Sequence, residues 1–234
     1  MAYDVPVAHA PVSVRSAYLK KVAVTTALGL GIASVTSVVS MFGLMLMPGV
    51  MTGYVPMIVI LASWGVIHFV AQPMVFGGAK WPGFVLGMGL QGFTMGFLLL
   101  TAAFVSASVI GNPFALAGLA AGLTGFTGLG LGAYVWTRPG SYSMLGGFLS
   151  AAAIPMLVLM AVGIFFPGVF GGTIGLLISG AFVVISAAGL LYQLNLVIHR
   201  FSSEMHIEGA YTVAMGILVL FWNILSFLMR LTRR

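Results

Sequence analysis

A chain of 234 residues that is 61% hydrophobic and 5% charged, with mean hydropathy +1.17, has too few polar side chains to cover a soluble domain. It reads as an all-α, polytopic membrane protein. The formal charge of +6 does not point to nucleic acid, because the basic residues stand singly between apolar runs, where they set topology and meet lipid head groups. Cysteine is absent, which excludes a disulfide framework, a thiol nucleophile and a Cys-based metal site.

Residues 1–21 form a basic N-terminal flank. They hold no long apolar segment, so no separate secretory signal is expected. The stretch Val12 to Lys21 is basic, serine-containing and acid-free. That fits an uncleaved mitochondrial address or an ordinary cytosolic flank.

Residues 22–234 are expected to form a single transmembrane domain of seven apolar runs: Val22–Met47, Tyr54–Phe76, Gly83–Phe104, Phe114–Trp136, Met144–Phe166, Phe170–Leu196 and Gly209–Leu231. Runs of about 20 apolar residues suit a ~30 Å hydrocarbon core. They are too long and too uniformly apolar for strands of a membrane barrel, and lipid obliges each to satisfy its own backbone as a helix. Pro48-Gly49, Gly77-Gly78, Asn112-Pro113, Pro139-Gly140 and Pro167-Gly168 punctuate them. The short connectors predict antiparallel neighbours in a seven-transmembrane-helix bundle.

Charge gives the orientation. With seven spans, the side of the N-terminus carries Arg15, Lys20, Lys21, Lys80, Arg138 and Arg200, and the other side only Arg230, Arg233 and Arg234. The N-terminus is therefore expected inside. The C-terminal arginines would fit better with six spans or a re-entrant last run.

Among 32 glycines, Gly87, Gly89, Gly92 and Gly96 fall along the third span. Gly118, Gly122 and Gly125 fall along the fourth, with Gly128, Gly130 and Gly132. Spacings of three and four put several on one face, where backbones can approach closely. The expectation is tight packing between spans three and four, or of one of them on a partner. Gly87-Met88-Gly89-Leu90-Gln91-Gly92 matches GxGxxG literally. It has no preceding strand and sits inside a span, so packing explains it better than a dinucleotide.

The chemistry-bearing residues are few. Asp4, Glu204 and Glu208 are the only carboxylates, and all lie outside the seven runs. His68 is the one ionisable group well inside a run. A neutral imidazole bonded to a backbone carbonyl is expected there, ahead of a proton relay or ligand. Gln72, Gln91, Gln193, Asn195 and Asn223 should pair with one another or with protein; with His68, Asn195 and Asn223 could line a polar path. Ser141 and Ser143 have no His–Asp pair to activate them. His199, Glu204, His206 and Glu208 are expected to be solvated loop groups. No metal, cofactor or catalytic site is expected.

Leu190-Leu191-Tyr192-Gln193-Leu194-Asn195, followed by His199-Arg200, resembles the sixth span and following loop of the Bax inhibitor-1 family, whose bacterial members carry a Leu-Tyr-Asp-Leu-Asn…His-Arg run. Val162-Gly163-Ile164-Phe165-Phe166-Pro167 resembles the end of that family's fifth span. Gly209-Ala210, Leu220-Phe221 and Asn223-Ile224-Leu225 resemble its last span. The resemblance implies a seven-helix fold and a pH-sensitive calcium leak in which two aspartates share a proton. The departures fall on those aspartates. The sixth-span acid aligns with Gln193, and the seventh-span acid with Gly216, or Ile217 without a gap. The arginine of bacterial members near the end of span two has no counterpart near Ala71 to Met74. A glutamine does not titrate, so the fold is expected without its acid–base switch.

The leading expectation is a non-catalytic scaffold or accessory subunit in a larger membrane complex, with lipid and membrane proteins as partners. The alternative is a calcium or proton leak channel. An internal membrane such as the mitochondrial inner membrane is expected for the scaffold; endoplasmic reticulum and bacterial plasma membrane stay open.

Overall fold

The computed structural model describes residues 6–137, 142, 144–149, 151 and 171–233. Among them, six helices are long and apolar enough to cross a membrane: α1 (Val12–Leu46), α2 (Val55–Phe76), α3 (Lys80–Ile110), α4 (Ala115–Thr137), α5 (Gly172–His199) and α6 (His206–Thr232). They correspond to six of the seven apolar runs. The fifth, Met144–Phe166, falls mostly outside the described residues, apart from a helical stretch at 144–149. Asp4, Ser141, Ser143 and Val162–Pro167 also lie outside them.

Local sequence explains where the helices start and bend. Pro11 precedes α1, which begins at Val12, so the basic flank supplies its first turns. Pro82 sits in the first turn of α3, where its missing N–H costs nothing. The last part of α2 passes through a π turn at Ile67–Ala71 just before Pro73. Proline removes an N–H and crowds the preceding carbonyls, and one widened turn absorbs both effects. After α3, Gly111 adopts φ 79°, a conformation open to glycine but strained for other residues. The Asn112 Oδ1 then accepts the Phe114 N–H at 2.9 Å, which turns the chain into α4.

The chain divides into two compact units. The first comprises residues 1–101 and 197–218, the second residues 102–196 and 219–234. In the first, α3 is the central helix. Its Gly92 lies against Ala33 and Thr36 of α1, and Gly96 against Ser40 and Met41. The Ser40 hydroxyl donates to the Phe93 carbonyl at 2.9 Å. Gly83 meets the Ala71 carbonyl and Val75 of α2, and Gly87 meets the ring of Tyr211 of α6. Below these contacts Met41, Leu44, Phe97 and Leu100 form an apolar cluster. In the second unit, Gly146 lies under the Tyr192 ring and Gly180 under Phe227.

The N-terminal segment is tied down as well. Pro6 pairs with Ser202 in an isolated antiparallel bridge. The Val7 N–H donates to the Phe201 carbonyl at 3.0 Å, and the Val7 side chain is fully buried. The start of the chain and the α5–α6 connector therefore share one end of this unit. Cysteines placed near Lys20 and Arg200 on this cysteine-free background should label from the same side of the membrane. Labelling from opposite sides would refute both the contact and the charge-based topology.

Candidate functional site

Among the described residues, the first unit holds one ion pair, between a buried carboxylate and a partly exposed lysine. Glu208 lies in the first turn of α6 and is 2% exposed; its Oε1 is 2.6 Å from the Nζ of Lys80, the first residue of α3. The expectation that Glu208 is a solvated loop charge does not hold. The apolar run begins at Gly209, but the helix begins at His206, which draws Glu208 into the packed bundle. A carboxylate in the first turn is favoured by the helix dipole, whereas an ammonium at the start of α3 is not. The pair offsets that mismatch and the loss of water around Glu208.

The shell around the pair is aromatic and close. Gly209 leaves room for Tyr18 and Val197. The Tyr18 hydroxyl reaches the Met205 and Val197 carbonyls at 3.4 and 3.5 Å, which ties α1 to the connector. Phe84 packs edge-on to Tyr211 with centroids 6.3 Å apart. Glu208 Oε2, the Tyr211 hydroxyl and His199 Nε2 are buried without a hydrogen-bond partner among the described residues. Sequence reasoning missed this cluster. The available signal was an acid one position ahead of an apolar run, with a lysine opening another.

The residues singled out from sequence are distributed differently. His68 lies in the π turn of α2 and is exposed. Its Nδ1 is 3.0 Å from the Trp64 carbonyl, and its ring stacks on Trp64 at 4.2 Å. Asn195 is buried and accepts the Tyr142 N–H at 3.4 Å. Gln193 Oε1 is buried with no partner among the described residues. Asn223 is half-buried and Gly216 buried. Gln193, Asn195 and Asn223 belong to the second unit, His68 and Gly216 to the first. Gly118, Gly122 and Gly125 are exposed, with nothing within 4 Å of a Cβ built on them. The expected packing of α4 through these glycines is therefore not made among the described residues; the close approaches run through Gly83, Gly87, Gly92 and Gly96 of α3. Spacing showed a glycine face on each helix, but not which face turns inward. Among the described residues no three His, Asp or Glu side chains cluster as a metal site.

Residues 15–233 match the family described as inhibitor of apoptosis-promoting Bax1. The chain belongs to the Bax inhibitor-1 family. No curated protein matches it. The match covers α2 to α6 and all of α1 but its first three residues, well beyond the stretches of the last third that carried the resemblance in the sequence. In this Bax inhibitor-1 chain Gln193, the residue expected at the family's sixth-span acid, lies in α5, and the buried carboxylate Glu208 stands at the start of the last helix.

Proposed function

We propose that this Bax inhibitor-1 family member is a non-catalytic membrane scaffold or accessory subunit of a larger membrane complex. One observation carries the reading: the buried carboxylate, Glu208, is engaged by Lys80 at one end of a unit, while Gln193 and Gly216 supply no titratable group farther in. A charge held this way fixes α3 to α6; it does not line a conducting path. The basic, acid-free stretch Val12 to Lys21 supports an internal membrane, the mitochondrial inner membrane first.

A second reading, an ion leak, is favoured by the unpartnered Glu208 Oε2 and Tyr211 hydroxyl. Flux measurements separate the two. In liposomes the scaffold should show no calcium leak that titrates between about pH 6 and 8, the window in which only histidines and perturbed carboxylates change charge. A titrating leak abolished by Glu208→Gln would replace the scaffold reading with the second. Purification in mild detergent should yield the chain in a complex with other membrane proteins.

A further inference from the structure

Between α1 and α6 of the first unit lies an open groove of about 360 Å³, lined by Lys20, Lys21, Val24, Thr25 and His206. Lys20 and Lys21 are exposed, and among the described residues neither forms an ion pair; Glu208, close to His206 in sequence, is turned to Lys80. The mouth of the groove thus holds two ammonium groups that no described carboxylate pairs with. Its wall then becomes apolar. Val24 is 70% exposed and Leu28 51%, and Lys20, Val24 and Leu28 stack at i, i+4 along one face of α1. Counted over seven spans, the lysines fall on the side that carries most of the basic residues.

Positive charge at the interface, continuous with an exposed apolar ridge, complements a ligand with an anionic head and a hydrocarbon tail. A free phosphate would use only the first half. We propose that this groove is a binding site for an anionic phospholipid. Lys20, Lys21 and the His206 imidazole donate to the phosphate, and an acyl chain lies along Val24 toward Leu28. Head-group binding by basic pockets between helices follows from the same electrostatics that attracts polybasic segments to anionic leaflets. The site serves a scaffold and a leak protein alike.

The test is native mass spectrometry of the full chain released from detergent containing equal phosphatidylglycerol and phosphatidylcholine. Phosphatidylglycerol should be retained in clear preference. Equal retention would overturn the proposal, and this arm needs no variant. Lys20→Gln with Lys21→Gln should weaken phosphatidylglycerol retention about 25-fold, at roughly fivefold per lysine near the surface, with helicity by circular dichroism unchanged. An undiminished preference in the folded double variant would overturn the assignment of the lysines. If the double variant does not fold, Lys21→Gln alone should show the fivefold loss, and its absence counts the same way. Millimolar inorganic phosphate should fail to displace the lipid. Displacement would reassign the groove to a free anion and end the lipid proposal.

Discussion

Lys80→Met should be the most damaging single change at the buried pair. It leaves the Glu208 carboxylate, 2% exposed, facing Tyr18 and apolar neighbours without a counter-charge. Removing one partner of a fully buried pair costs roughly 3–5 kcal/mol. Because the Lys80 side chain is 38% exposed, water screens part of the interaction, and a loss of about 2 kcal/mol is expected. Glu208→Gln should cost less, about 1 kcal/mol, because the amide keeps the shape and frees Lys80 to extend into water. Combining Lys80→Met with Glu208→Leu should recover most of the Lys80→Met loss, since an apolar pair needs no compensation. Thermal unfolding in detergent reads all three. A double variant that loses as much as Lys80→Met or more would mean that the two charges act independently.

Gly92→Ala should be comparably severe for a steric reason. A Cβ at this position would overlap the Thr36 Oγ1 and the Ala33 carbonyl oxygen, and would stand 2.7 Å from the Ala33 Cα. Two of these are backbone atoms of α1, so relief requires separating α1 from α3. Overpacking of a close contact costs about 1–3 kcal/mol, and the upper end is expected because no flexible side chain can absorb it. Gly122→Ala provides the control. No described residue lies within 4 Å of its Cβ, and alanine favours a helix over glycine by about 1 kcal/mol. Its melting temperature should stay level or rise. A matching drop in both variants would show that Gly122 is packed after all.

These two residues mark what sequence could and could not disclose. The helices were legible because lipid leaves the backbone a single solution, and because Pro-Gly pairs mark their ends. The glycine repeats were legible as faces. Their orientation was not: Gly92 and Gly122 have the same local signature, and only the placement of Ala33 and Thr36 on α1 distinguishes them. Glu208 failed for the opposite reason. A hydropathy run ends where polarity begins, whereas a helix ends where its backbone bonds end. The turn His206–Glu208 lies between those limits, and its burial depends on Lys80, far away in the chain. His68 was easier, since its partner, Trp64, is its own neighbour one turn back.

The first unit is assembled from two segments far apart in sequence, residues 1–101 and 197–218, which sets an order on biogenesis. At about 5–20 residues per second, Val7 leaves the ribosome roughly ten to forty seconds before Phe201, its hydrogen-bond partner. During that interval the insertion machinery holds α1 to α3 with Lys80 unpaired and the Gly87 surface uncovered. The lysine stem can meanwhile reach up to the head groups. Chains halted before α6 would keep that exposed charge and uncovered glycine surface, and membrane quality-control proteases should find them there.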